Sequence, residues 1–271
     1  MGDLVIFVVL WIVLSLVAEW ALGLAKAHTL YYIIASQGFI AEKAFNFLAT
    51  WLTPVFVFVV LFLIFTLIRF HAPDGKPVKS SQQTMRNMGF TIFWVGLSFA
   101  LNIMFFLHPT SSDLEQMFSA WEPARNRGDL VVDVTARQWE WIYTYPQYGI
   151  KQAVNNLGED ELELPVDRKV KFVLRSYDPF HTYDVYAGVI HDFWIPAFGM
   201  KEAVVPGLTR YEYIRPMQIA SYQTNPMVRV QCAEVCGPGH PWMESPVNIV
   251  STGQFARWIK LQQKLQAQAG S

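Results

Sequence analysis

The chain has 271 residues, of which 52% are hydrophobic, 15% aromatic and only 16% charged, with a formal net charge of −1. An average soluble domain carries about 25% charged residues, so a simple cytosolic globule is excluded. The absence of a basic excess excludes a nucleic-acid binder, and the long apolar runs exclude a disordered chain. Two cysteines are too few for a disulfide-stapled scaffold.

The charges are unevenly placed. Residues 1–108 hold ten of the 43, and the remainder of the chain holds the other 33. Within 1–108, three stretches reach the roughly 20 apolar residues a bilayer demands. They are 4–24, with Glu19 as its one charge, and the charge-free 49–68 and 88–107. None shows the polar stripe of a soluble helix. Ala25-Lys26-Ala27 resembles a signal-peptidase site, but no basic residue precedes the first stretch, so it is expected to be an uncleaved span. Lys and Arg in short loops set orientation. Arg69, Lys76, Lys79 and Arg86 lie between the second and third spans, against Lys26 and Lys43 between the first and second. The N-terminus is therefore expected inside and everything after the third span outside. Glu19 is expected near the outer membrane surface or paired with a neighbouring subunit.

Residues 109–128 form a polar connector with a short helical piece around 114–121. From residue 130 onwards, β-type runs recur at 130–145, 161–164, 169–176, 188–196, 208–214, 227–232 and 247–250. Val, Tyr, Phe and Trp between Gly, Pro, Asn and Asp carry the strand signature, and this spacing predicts a Greek-key sandwich or barrel across 129–252. Residues 253–271 predict a closing helix with Trp258, Ile259 and Leu261 on one side.

The chemistry concentrates at 229–243, where both cysteines, Cys232 and Cys236, are followed by His240 and Met243. Thiolates and imidazole select copper, zinc or iron–sulfur, and a thioether points to copper electron transfer. Gly237, Pro238, Gly239 and Pro241 make a turn that can converge separated side chains. A Cys232–Cys236 disulfide leaves His240 and Met243 unexplained, zinc gains little from Met, and one type 1 copper leaves a thiolate surplus. Two thiolates suit two coppers bridged by both sulfurs, each needing one His and one weaker ligand. The second His must come from elsewhere. His28 and His71 flank spans and His108 sits at a span's exit, which leaves His181, in a loop-like stretch, and His191, in a strand-like one.

These residues resemble subunit II of the haem–copper respiratory oxidases, the cytochrome c oxidases. The likeness rests on Cys232-x3-Cys236-x3-His240-x2-Met243, on Val189-Ile190-His191-Asp192-Phe193-Trp194-Ile195-Pro196 upstream, and on the aromatic stretch Gln138-Trp139-Glu140-Trp141. It covers about 128–260 and a membrane hairpin. It implies a cupredoxin-like barrel with a binuclear copper centre, CuA, held by His191, Cys232, the backbone carbonyl of Glu234, Cys236, His240 and Met243. It implies that the Glu234 side chain helps hold Mg2+ at the contact with subunit I, and that Trp139 accepts the electron where a cytochrome c, or a tethered cytochrome c domain, docks. The activity implied is electron relay from cytochrome c to haem in subunit I of a proton-translocating oxidase that reduces oxygen to water, within a membrane complex. Glu159, Asp160, Glu161 and Glu163 are candidates for steering a basic donor, and Trp242 and Phe193 for tuning the metal. The alternatives are the CuA subunit of a membrane nitric oxide reductase and, from another class, a membrane-anchored copper chaperone of thioredoxin-like fold.

Three departures stand out. There are three spans where the family commonly has two, Glu140 replaces a usual aromatic, and 177–188 look like an insertion. No carboxylate in 82–94 matches the family's proton-path Glu, so no proton-path residue is assigned.

Overall fold

The computed structural model describes all residues except 1, 29–31, 72–74, 76–86, 114, 116–127, 178–187 and 270–271. The chain divides into two compact units, Met1–Tyr31 with Lys43–Gln116, and Tyr32–Glu42 with Met117–Ser271.

The first unit is built on three apolar helices, α1 (Gly2–His28), α2 (Ser36–Arg69) and α3 (Met88–Phe105). Each is long and apolar enough to cross a membrane, and their large side chains, such as Leu16, Phe56 and Ile92, are exposed around most of the surface. A soluble protein does not tolerate such a continuous apolar surface, whereas lipid does. α1 and α2 both run beyond the expected spans 4–24 and 49–68. Asn87 caps α3, its side chain accepting from Phe90 N at 3.1 Å. The helix passes into a π-helical turn at Phe106–Ser111. Arg69 pairs with Asp3 at 2.9 Å, and Lys43 with Asp113 at 3.2 Å. Lys76, Lys79 and Arg86, on which the orientation argument leans, lie outside the described residues.

Among the described residues, the second unit holds ten strands in two sheets. The first sheet orders β1 (Leu130–Arg137), β2 (Glu140–Thr144), β4 (Val170–Ser176) and β7 (Arg210–Ile214) as β2-β1-β4-β7. The second runs β3-β10-β9-β5-β6, from β3 (Leu162–Pro165), β10 (Glu244–Val250), β9 (Arg229–Cys232), β5 (His191–Ile195) and β6 (Met200–Val204), with β8 (Ala220–Ser221) also pairing β10. β1 and β4 are parallel, as are β10 and β3; every other pair is antiparallel. Parallel neighbours far apart in sequence are what a Greek-key sandwich produces. Period-two alternation points Leu130, Val132, Val134 and Ala136 of β1 inward, with Trp141, Tyr143, Phe172 and Phe193 filling the space between.

The expected single run at 130–145 is two strands, because the chain turns at Gln138–Trp139. β6 and β8 lie outside the predicted runs, because β6 is only partly buried and β8 has two residues. The final helix, α4 (Thr252–Ala269), buries Phe255, Ile259 and Gln262, while Leu261 faces solvent, correcting the expected side. Gln262 replaces an apolar contact with two hydrogen bonds to the backbone of Val154, its Nε2 donating to the carbonyl at 2.7 Å and its Oε1 accepting from the amide at 3.4 Å.

One core position is chemically unusual. Glu212 on β7 is buried opposite Phe172, and burial followed by the charge of Glu202 pushes its carboxyl up to about 8. A carboxyl whose folded pKa is raised contributes stability that is full below its unfolded value and is lost as pH rises through about 8. Glu212→Gln is therefore expected to raise the melting temperature at pH 9 by several degrees and to change it little at pH 5. Scanning fluorimetry of the detergent-solubilised chain checks this; equal gains at both pH values would contradict it.

Candidate metal centre

The site is built where β5 meets β9. Phe193 lies directly opposite Cys232 in that antiparallel pair, so His191, two residues along β5, shares its inward face and stands beside the chain leaving β9. That chain makes a loop from Ala233 to Met243 and returns into β10. The loop is closed by Cys232 N donating to Met243 O at 3.0 Å and held open inside by Ala233 N donating to Asp192 O at 3.2 Å. Gly237 takes φ +116°, which an L side chain resists. His240 N then donates to Gly237 O at 3.0 Å, starting the short 3-10 turn His240–Trp242.

The result is convergence of soft donors. Cys232 Sγ lies 3.8 Å from His191 Nδ1, 3.8 Å from Cys236 Sγ and 3.2 Å from the Glu234 carbonyl oxygen. Cys236 Sγ lies 3.6 Å from His240 Nδ1 and 3.8 Å from Met243 Sδ. His191, Cys232, Cys236 and Met243 are buried. Both cysteines are free, and their sulfurs stand well beyond the roughly 2.05 Å of a disulfide. Two thiolates bonded at about 2.3 Å to one metal at a tetrahedral angle stand about 3.8 Å apart, so the sulfur spacing suits a shared metal. The donors flank the sulfur pair, with His191 and the Glu234 carbonyl on the Cys232 side and His240 and Met243 on the Cys236 side.

Electrostatics agrees with that use. Burial, followed by the nearby His240, lowers His191 to about 4, so its imidazole is neutral at pH 7 and offers a lone pair. Burial, then the neighbouring Cys232, pushes the Cys236 thiol up to about 12. Its proton leaves only when a cation replaces it.

The surrounding aromatics hold the loop. Trp141 is buried, donates Nε1–H to Met243 O at 3.3 Å and packs edge-on against His191 and Phe193, with ring centroids 6.1 and 5.5 Å apart. Trp139 is 41% exposed, and its indole N–H donates to Cys236 O at 3.1 Å beside the Gln138 side-chain amide at 2.8 Å. Trp139 and Trp141 therefore do not share a packed face, because the turn between β1 and β2 sends one to the loop's surface and the other inside. The structure adds Gln138 and Trp141 as supports that sequence reasoning left without roles; the repeated Trp beside Gln was the available signal. The Glu234 side chain is exposed, Phe193 is buried, and Trp242 is 76% exposed, which removes it from the packed shell. His71, in the first unit, is exposed, with Nδ1 3.0 Å from Ile68 O. His181 lies outside the described residues.

Gly239 presses against the indole of Trp139. A Cβ there would come within 2.3 Å of Trp139 Cδ2. Gly239→Ala is expected to displace the ring, raising Trp139 fluorescence accessibility to acrylamide at least about twofold while the fold melts within a few degrees of wild type. Unchanged quenching would show that the loop yields instead.

The family model described as "Cytochrome C oxidase subunit II, periplasmic domain" matches residues 130–251. Residues 130–251 therefore carry the periplasmic domain of the cytochrome c oxidase subunit II family. It is 24% identical over 245 residues to the "Alternative cytochrome c oxidase subunit 2" of Bradyrhizobium diazoefficiens, covering 81% of this chain and 79% of that one. It is 32% identical over 137 residues to subunit 2 of Thermostichus vulcanus, covering 51% of this chain and 35% of that protein. With subunit 2 of Synechocystis it shares 27% over 306 aligned positions, covering 94% and 81%. The match therefore spans from about a third to about four fifths of these relatives. A crystal structure of the periplasmic domain of cytochrome oxidase subunit II from Bradyrhizobium japonicum covers 50% of this chain and 94% of that domain at 26% identity and a TM-score of 0.40. With three membrane-capable helices and a β-sandwich that matches a periplasmic domain, the chain is a membrane protein with an outer-side domain.

On this subunit II domain the exposed edge of Trp139 borders a groove of about 470 Å3. Glu140, Glu159, Asp160, Glu161 and Glu244 line it, with Arg229 as the lone cation among the lining residues. Glu163, expected in this acidic group, is instead buried behind it, exchanging backbone hydrogen bonds with the Tyr145 hydroxyl at 2.8 and 3.0 Å. Glu140 takes its place at the rim, so the departure from an aromatic there enlarges the acidic surface.

Proposed function

We propose that the chain is the electron-accepting subunit of a haem–copper oxidase, taking electrons from cytochrome c and relaying them to haem in subunit I, where oxygen is reduced to water. The observation that carries this reading is the pair of free, buried sulfurs 3.8 Å apart with a histidine at each end, 3.8 Å from Cys232 and 3.6 Å from Cys236. In this reading His191, Cys232, the Glu234 carbonyl, Cys236, His240 and Met243 hold a binuclear copper centre, CuA. Such a centre supplies one-electron transfer with the charge shared over two metals, so each bond changes little.

The protein's own residues do the rest. The Cys232 and Cys236 thiolates, the His191 and His240 imidazoles, the Glu234 carbonyl and the Met243 thioether would hold the metal, with the carbonyl and the thioether as the weaker donors. Trp141 and Phe193 exclude water, while Trp139 and Gln138 fix the Cys236 carbonyl and lead from the surface to the loop. The acidic groove beside Trp139 suits a basic cytochrome c, free or tethered. The exposed Glu234 carboxylate is a hard ligand suited to Mg2+ shared with subunit I. With three spans and an outer domain, the N-terminus lies on the cytoplasmic side. Electron transfer in this complex is coupled to proton translocation by other subunits. A copper chaperone of thioredoxin-like fold has no support in a ten-stranded sandwich.

The test is copper titration of the purified full-length chain with EPR. Two coppers per chain and a mixed-valence signal are expected; one copper, or a colourless Cu(I) protein, overturns the reading. Because loading must release the Cys236 proton while His191 is already neutral, apparent affinity is expected to rise about tenfold per pH unit per proton released between pH 5 and 8. Competition with a chelator of known affinity checks that slope.

A further inference from the structure

Between Leu4 and Ala25, α1 has one charge, Glu19. The face it turns to α2 repeats every four residues. Phe7 packs edge-on against Phe58, Phe62 and Phe65. One turn on, Trp11 meets Phe58 and donates its indole N–H to Pro54 O at 2.8 Å. Ser15 and Glu19 continue that row, and there it becomes polar.

Ser15 is only 8% exposed. Among the described residues neither Ser15 Oγ nor the buried Glu19 Oε1 has a hydrogen-bond partner. Both border a cavity of about 240 Å3 with Trp11, Ile12, Leu16 and Pro54. Pro54 has no N–H to give the carbonyl of Thr50, which adds another acceptor to this stretch of α2. In hydrocarbon an unsatisfied polar atom is costly, and intramembrane carboxyls face protein or water.

A donor placed between the two oxygens would satisfy both, and the described basic residues of this unit are committed or distant. Lys43 pairs with Asp113 and Arg69 with Asp3. Lys26 stands seven residues beyond Glu19 on the same helix, about 10 Å along the axis. That distance exceeds the reach of the Lys26 side chain, whereas a transmembrane helix packed beside α1 reaches the groove. Ile12 and Leu16, 49% and 66% exposed, supply apolar rims for such a helix.

We propose that the Ser15–Glu19 groove docks a transmembrane helix of another membrane subunit, which inserts a basic or amide side chain between the two oxygens. This rests on reading the chain as a subunit of a membrane complex and not on the metal centre. It gives the extra first span a definite task, which is holding a partner within the bilayer.

The test is retention of the other membrane subunits, the haem-bearing one included, on the tagged full-length chain, purified from its own membranes through rising detergent. Retention is read as haem and subunit peptides per chain. Glu19→Ala is expected to lower it about tenfold and Ser15→Ala two- to three-fold, while Glu19→Gln keeps most of it by retaining an acceptor carbonyl. Val17→Ala, on the opposite face of α1, should change nothing. Melting of the outer domain, followed in every variant, separates lost docking from lost folding without reference to copper. Equal retention by Glu19→Ala overturns the proposal, as does a wild-type chain that purifies alone in the mildest detergent. Recovery of a stoichiometric lipid or quinone, in place of a subunit, from wild type but not from Glu19→Ala also overturns it.

Discussion

Cys232→Ser is expected to abolish the two-copper signal and to lower electron acceptance from a reduced donor by at least about a hundredfold. Cys232 Sγ lies within 3.8 Å of His191 Nδ1 and Cys236 Sγ and 3.2 Å of the Glu234 carbonyl, so it would join three other donors. A serine hydroxyl is a harder ligand that stays protonated near neutral pH, so it cannot bridge soft copper. Even supporting residues around a metal are worth ten- to a hundredfold in affinity or activity, and a bridging ligand exceeds them. The substitution is nearly isosteric at a position 1% exposed, so the fold is expected to survive. Copper per chain, EPR and melting temperature together check this. Retention of a mixed-valence pair in the variant would remove Cys232 from the bridge. The matching control is His181→Ala, which is expected to leave the signal intact because His191 occupies the histidine place beside Cys232.

The contrast between those two histidines shows what a sequence conveys about such a site. The loop 232–243 is legible because its donors are close in the chain and Gly and Pro force a turn. His191 is forty-one residues from Cys232, and only strand pairing joins them. The β-type run around it hinted at a strand, but the pairing of Phe193 with Cys232 depends on register across the whole sheet. The three spans were legible for a simpler reason: lipid imposes length and composition locally, without any tertiary partner. The strands β6 and β8 were not, since their burial is partial or their length slight. α4 misled for a related cause. Its apolar Leu261 suggested a face, yet Gln262 turns inward because the unpaired backbone of Val154 needs it more than solvent does. The acidic groove beside Trp139 was only half visible, as Glu140 and Glu244 come from strands distant in sequence from Glu159, Asp160 and Glu161.

Trp139→Ala is expected to slow oxidation of a bound donor by about a hundredfold or more while leaving two coppers per chain. The indole is anchored at one end, where its N–H donates to the carbonyl of Cys236, a proposed ligand, at 3.1 Å, and it lies across Gly239 at the floor of the turn. Its other edge reaches the surface beside the acidic groove. A single rigid side chain thus joins the donor side to a metal ligand, and alanine replaces it with solvent. Trp139→Phe keeps the ring but loses the N–H, so an intermediate rate is expected. The neighbouring charges should separate from this effect. Glu140→Gln or Glu159→Gln is expected to raise KM for a basic donor several-fold and to weaken its salt dependence, with kcat nearly unchanged. Trp139→Ala, by contrast, should act on kcat, because the donor still docks but its electron lacks the connecting ring. Stopped-flow oxidation at several ionic strengths distinguishes the two. The rival is Trp242, which lies between His240 and Met243 and is 76% exposed, but of these two indoles it is Trp139 that donates to the Cys236 carbonyl. Were Trp242→Ala to carry the loss and Trp139→Ala to be silent, the electron's path would have to run through the far side of the loop.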